Sequence, residues 1–126
     1  MYNMLIADAD VDAWFQVNAL LRRYMLKANF VSNLGLARRC IDNGHPSLLF
    51  IDRQLLDNSA GDFFQYVKSK YPKVKIILIN RLGERVRRLQ AGADMVISKP
   101  LVPEMIERAI LHLAWPQWQI SSSTNS

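Results

Sequence analysis

Apolar residues along the chain fall into short unbroken runs, Met4 to Ala7, Phe30-Val31, Leu48 to Ile51, Ile76 to Ile79 and Met95 to Ile97. Runs of this kind, bounded by turn formers and showing no polar alternation, predict strands buried on both faces. Between them the apolar positions change to helical spacing. Trp14, Val17, Leu21, Tyr24 and Ala28 mark a first amphipathic helix, and Leu36, Cys40 and Ile41 mark a short second one with Arg38 and Arg39 outward. Asn43-Gly44-His45-Pro46 ends that helix, which makes His45 a loop residue. Leu55 to Ala60 reads as a polar loop, followed by a helix with Phe63, Phe64 and Val67 inward and closed by Tyr71-Pro72. Gly83 to Ala91 predicts a short basic helix with Arg85, Arg87 and Arg88 outward, ended by Gly92. Pro103, Ile106, Ala109, Ile110 and Leu113 define the last helix.

Strands that alternate with helices require a parallel sheet covered on both faces, joined by right-handed crossovers. In such sheets ligands bind beyond the C-terminal ends of the strands. Four polar residues stand there: Asp8, Asp52, Asn80 and Lys99. Ser47-Leu48-Leu49-Phe50-Ile51-Asp52 is the sharpest case, four apolar residues ending on a carboxylate. Alone, Asp52 reads equally well as the start of a turn. Two carboxylates, an amide and an ammonium on one edge favour a site.

Composition narrows the field. A chain of 126 residues, 50% hydrophobic and 21% charged, predicts one globular domain. No apolar run is long enough to span a bilayer and the N-terminus lacks a signal-peptide pattern, so the expectation is a cytoplasmic protein with no membrane partner. The single Cys40 reads as a core thiol. The net charge of +5 is spread over several segments, and the basic residues Arg81, Arg85, Arg87 and Arg88 read as a solvated face or a docking surface for an acidic partner. No aromatic stacking residues or groove-reading motif accompany them, so nucleic acid is expected only through an attached domain. There is no Gly-rich phosphate loop, no Cys or His cluster and no nucleophilic Ser elbow.

From about Met4 to Leu113 the chain resembles the receiver domain of bacterial two-component response regulators. The resemblance rests on Pro46 to Asp52, Gly92-Ala93-Asp94, Lys99-Pro100 and Pro103-Glu104. It implies a flavodoxin-like, doubly wound five-stranded parallel sheet in the order 2-1-3-4-5, with two helices on one face and three on the other. It further implies that Asp52 accepts a phosphoryl group and that Lys99 pairs with it. Mg²⁺ is then held by Asp8, Asp52 and the backbone carbonyl of Gln54, and Asn80 stands where a Thr or Ser bonds the phosphoryl oxygen. Lys99-Pro100 is expected cis, aiming the lysine at the acceptor. The module is not an enzyme beyond self-catalysed phosphorylation and dephosphorylation. Its implied partners are a histidine kinase or phosphotransfer protein and an output domain or effector protein, with a homodimer among the assemblies allowed.

The sequence departs from the family pattern in several places. Ala7 aligns with one of two acidic residues, so Mg²⁺ is expected to bind weakly or not at all. Asn80 replaces the hydroxyl, Val96 replaces an inward-turning aromatic, and Leu56 replaces the proline after the acceptor. The alternative function is accordingly a pseudo-receiver, a protein interaction or dimerisation module without phosphoryl control. Residues 1–118 are expected to form the receiver-like domain and residues 119–126 a polar tail or the start of a linker.

Overall fold

The computed structural model describes residues 3–56, 60–81 and 92–123, with side chains as far as Leu113. Among the described residues ten elements follow one another: β1 (Met4–Ala7), α1 (Val11–Arg23), β2 (Ala28–Val31), α2 (Leu34–Gly44), β3 (Leu48–Asp52), α3 (Arg53–Leu56), α4 (Ala60–Lys70), β4 (Lys75–Asn80), β5 (Met95–Ser98) and α5 (Pro103–Ser123). The strands form one parallel sheet in the order β2-β1-β3-β4-β5. This is the fold and strand order the sequence implied. The basic segment Gly83 to Ala91 lies outside the described residues. Among those described, no helix is long and apolar enough to cross a membrane.

Strand side chains alternate between two faces, and the core divides along that alternation. Met4 and Ile6, Leu48 and Phe50, Ile77 and Ile79, and Ile97 pack with Val17, Leu20 and Leu21 of α1 and Ile106, Ala109 and Ile110 of α5. Leu5 and Ala7, Leu49 and Ile51, and Ile76 and Leu78 pack with Ala37 and Ile41 of α2, Leu56 of α3 and Phe63, Phe64 and Val67 of α4. Among the described helices, two therefore cover one face and three the other. Burial on this scale contributes roughly 25 cal/mol for each Å² of apolar surface removed from water.

Local chemistry fixes the helix ends. Asp10 adopts an extended backbone and its side chain accepts from the Asp12 amide at 3.0 Å, so it is the N-cap of α1. Asn33 caps α2 the same way, accepting from Leu36 N at 2.8 Å. His45 closes α2 in the left-handed region and its Nε2 lies 2.9 Å from the Asp42 carbonyl, a structural place that agrees with its reading as a loop residue. Three details differ from the sequence reading. Leu36 is exposed while Ala37 and Ile41 face the core, Cys40 is only half-buried, and the expected loop after Asp52 begins with the helical turn α3, which buries Leu56 completely. A four-residue turn is too short to display a helical period.

Gly92-Ala93-Asp94 ties β5 to the α2/α4 face. Gly92 has φ +114°, and a Cβ there would stand 2.7 Å from Phe64 Cβ. Asp94 accepts from Ile76 N and from Lys68 Nζ, each at 2.7 Å, and Lys68 also donates to the Val74 carbonyl at 2.7 Å. Helix α5 runs on through Ser123.

Candidate phosphoacceptor site

The two-residue period of the strands carries into the site. Asp52 continues the Leu48, Phe50 series of β3, Asp8 continues Met4, Ile6 of β1, and Lys99 follows Ile97 of β5, so all three belong to the α1/α5 side of the sheet edge. The register pairs Ala7 with Ile51 and Asp52 with Ile79, which brings the strand ends level. Lys99 Nζ lies 3.1 Å from Asp8 Oδ2, 3.4 Å from Asp52 Oδ2 and 3.6 Å from Asp10 Oδ2. Asp8 is fully buried, Asp52 is 3% exposed and Asp10 is exposed. The Lys99-Pro100 peptide is cis, as expected.

Backbone donors complete the carboxylates. Asp8 Oδ1 accepts from Asp10 N at 2.9 Å and from Lys99 Nζ at 3.2 Å, and Asp52 Oδ1 accepts from Gln54 N at 3.2 Å. Asp8 Oδ2 is near the ammonium but has no well-directed hydrogen bond. Burial pushes the Asp8 carboxyl up to about 6, with the negative charge of Asp52 adding to the effect while the Asp10 amide and Lys99 oppose it. Burial also disfavours the Lys99 ammonium, but its hydrogen bond to Asp8 and the charges of Asp8 and Asp52 outweigh that and hold its pKa above the ordinary lysine value. The ammonium thus stays charged among the acids.

A cavity of about 750 Å³ opens over these groups, and its walls include Ala9, Asp10, Asp52, Gln54, Arg81 and Lys99. Arg81 Nη2 donates to Gln54 Oε1 across its mouth. Asn80 is not part of the wall. It is buried at the end of β4, continuing the Ile76, Leu78 series toward the other face, and its Oδ1 accepts from Arg53 Nη1 at 3.3 Å. Ala7 requires a correction. It is fully buried against Leu5, Val31 and Ile51 on the α2/α4 side, so it cannot be the position of a lost metal ligand. Just beyond the end of β1 it is Ala9, not Ala7, that lines the cavity.

These donors do not fit a magnesium site of three carboxylates. The buried, poorly directed Asp8 Oδ2 suits a cation, and Mg²⁺ prefers hard oxygens. Ala9, however, contributes no oxygen, and among the described residues no group of three His, Cys, Asp or Glu side chains is placed to hold a metal ion. Sequence reasoning missed Ala9 and Arg81 in this wall. Arg81 is the first residue after a strand-ending Asn, and that position was the available signal.

A profile of the response regulator receiver domain matches residues 4–111, and the chain belongs to this family. No curated protein matches the sequence. The fold is similar to NtrX from Brucella abortus solved with ADP (TM-score 0.78, 20% identity), covering 98% of this chain and 29% of that one. It is also similar to a response regulator receiver domain protein from Clostridium thermocellum (TM-score 0.78, 15% identity, 95% and 99% of the two chains). A third similar structure is a two-component response regulator from Clostridium difficile (TM-score 0.77, 18% identity, 90% and 95%). The chain thus spans under a third of the NtrX chain it matches.

Proposed function

We propose that this domain accepts a phosphoryl group on Asp52 from a histidine kinase or phosphotransfer protein and passes the resulting change to an attached or separate output. The observation that carries this reading is the placement of Asp52, buried at a strand end, at the floor of an open cavity, with Lys99 Nζ at 3.4 Å. Transfer of a phosphoryl group to a carboxylate is largely positioning and neutralisation of charge on the equatorial oxygens. Lys99 supplies a fixed positive charge, and the Gln54 amide orients the acceptor through Oδ1. The absent carboxylate at Ala9 supports a weak response to Mg²⁺. In this reading residues 1–118 are the receiver module and residues 119–126 a polar tail or the start of a linker, into which helix α5 runs as far as Ser123.

A second reading, the pseudo-receiver, draws on the same Ala9 and on Asn80, which is engaged by Arg53 away from the cavity wall. One experiment separates them. The purified protein is incubated with acetyl phosphate, with and without Mg²⁺, and any modified residue is located by mass spectrometry. Label on Asp52, absent from Asp52→Asn, is the expected result. A wild-type protein that takes no label under either condition, nor from histidine kinases of the same cell, sinks the phosphoacceptor reading in favour of the pseudo-receiver.

A further inference from the structure

We infer that Arg81 is the second cation of the cavity, and that with it Asp52 takes up a small phosphoryl-type anion without a divalent metal. This rests on the phosphoacceptor reading above. The need for a second cation follows from the occupation of the first. Lys99 is already shared among Asp8, Asp10 and Asp52 at 3.1 to 3.6 Å, so its single charge offsets the acid cluster only in part. A doubly charged phosphoryl group entering beside three carboxylates requires additional positive charge within a few ångströms.

Arg81 is the group placed to supply it. It is exposed, lines the cavity with Asp52 and Lys99, and its Nη2 engages Gln54 Oε1. Gln54 in turn donates its backbone N–H to Asp52 Oδ1 at 3.2 Å. The guanidinium is therefore tethered to the residue that orients the acceptor. A planar guanidinium carries several donors in a fork that matches phosphate oxygens. The charge count agrees. A carboxylate at position 9 and a neutral residue at position 81 would each make the pocket one unit more negative. Together they would demand two positive charges, the charge of one divalent ion. Ala9 and Arg81 remove that demand.

The transfer balances without a metal or a proton. An Asp52 carboxylate oxygen attacks the phosphorus of acetyl phosphate and forms the new P–O bond. The P–O bond to the acetyl group breaks, and acetate leaves with the electron pair. Arg81 and Lys99 face the equatorial oxygens.

Two measurements in EDTA test this: the rate of Asp52 labelling by acetyl phosphate, and binding of inorganic phosphate followed by the amide resonance of Gln54. Wild type is expected to label in EDTA with little gain from Mg²⁺. Arg81→Gln should lose about ten- to hundredfold in rate in EDTA, the usual loss for a hydrogen bond to a charged group, together with the phosphate shift at Gln54. Arg81→Lys should keep most of both, and Ala9→Asp/Arg81→Gln should label only when Mg²⁺ is added. Wild-type labelling that requires Mg²⁺ overturns the inference and leaves the phosphoacceptor reading standing. Equal labelling or equal phosphate binding by Arg81→Gln and wild type in EDTA overturns the role of Arg81. Arg81-dependent phosphate binding with no labelling of Asp52, whether in EDTA, with Mg²⁺ or from a histidine kinase, supports the anion site and overturns the phosphoacceptor reading.

Discussion

The ammonium of Lys99 lies 3.1 Å from Asp8 Oδ2, although the strands that carry the two residues are not neighbours. β3 and β4 stand between β1 and β5, three strand spacings or roughly 14 Å of sheet. The contact is made because both residues leave their strands toward the α1/α5 face and the lysine stem crosses the edge above Asp52. The site is therefore a property of the whole sheet edge, and several of its features make separate predictions.

Position 7 and position 9 should respond in opposite ways to the same substitution. Ala7→Asp places a carboxylate in the core beside Leu5, Val31 and Ile51 and should cost about 3 to 5 kcal/mol, the penalty of an uncompensated buried charge. Ala9→Asp places it on the cavity wall, where folding should be nearly unaffected and Mg²⁺ affinity should rise about tenfold or more. Urea denaturation and Mg²⁺ titration of both variants check this. A well-folded Ala7→Asp with tightened Mg²⁺ binding would reverse the assignment.

Stability in metal-free buffer should depend on pH through Asp8. Its carboxyl titrates near 6 in the folded protein against 3.8 as the ordinary value, so the folded state favours the protonated form. The associated stability is fully present below about pH 4 and is lost as pH rises through about 6, amounting to about 3 kcal/mol for a shift of this size. Asp8→Asn should remove this component. Denaturation free energies of wild type and Asp8→Asn across pH 4 to 8 should converge or cross on that interval, and parallel curves would disprove the linkage.

Gly92→Ala should destabilise the domain. The left-handed backbone alone costs a residue with a Cβ about 1 to 3 kcal/mol, and the contact with Phe64 Cβ at 2.7 Å adds to it because that atom is next to the α4 backbone. Thermal unfolding measures the loss. An unchanged midpoint would mean that the Gly92 backbone relaxes without penalty.

Asp42 joins α2 to the α4 end of the molecule, accepting at Oδ1 from the Tyr66 hydroxyl at 2.6 Å and from Tyr71 at 2.7 Å. These hydrogen bonds, from Tyr66 first, hold its carboxyl below the ordinary range, and the same contact pushes the Tyr71 hydroxyl up to about 12. A carboxyl with a depressed folded value stabilises above its unfolded pKa and loses that contribution as pH falls through the folded one. The stability gap between wild type and Asp42→Asn should therefore be open at neutral pH and close in acid below about pH 4. A gap that widens on acidification would contradict the hydrogen-bond cause.

Much of this was legible in the sequence because buried parallel strands write themselves as unbroken apolar runs. Leu48 to Ile51 and Ile76 to Ile79 are wholly buried, and the acid and lysine that follow such runs were placed by counting alone. Gly92-Ala93-Asp94 and Lys99-Pro100 were likewise visible as fixed residue types. The illegible parts share one cause, which is that they depend on facing rather than on order. Ala7 and Ala9 are indistinguishable until the strand's parity and end are known. Arg81 was hidden in a run of arginines that reads as a solvated face. Arg53 could not be paired with Asn80 without the register that sets Asp52 beside Ile79.

The alternation that sends Met4, Ile6 and Asp8 to one face has a consequence for how this domain tolerates genetic change. A substitution in β1 alters one side chain, but a single-residue deletion between Met4 and Asp8 would rotate the remainder of the strand by half a turn and exchange its two sets of neighbours. Asp8 would then leave Lys99 for the layer of Ala37 and Ile41. Deletions of one codon should be lethal to the fold and the site together, whereas the site can be edited residue by residue at Ala9, Gln54 and Arg81 with the sheet intact. The frame of the strands is inherited as a unit, and the chemistry at their ends is free to drift.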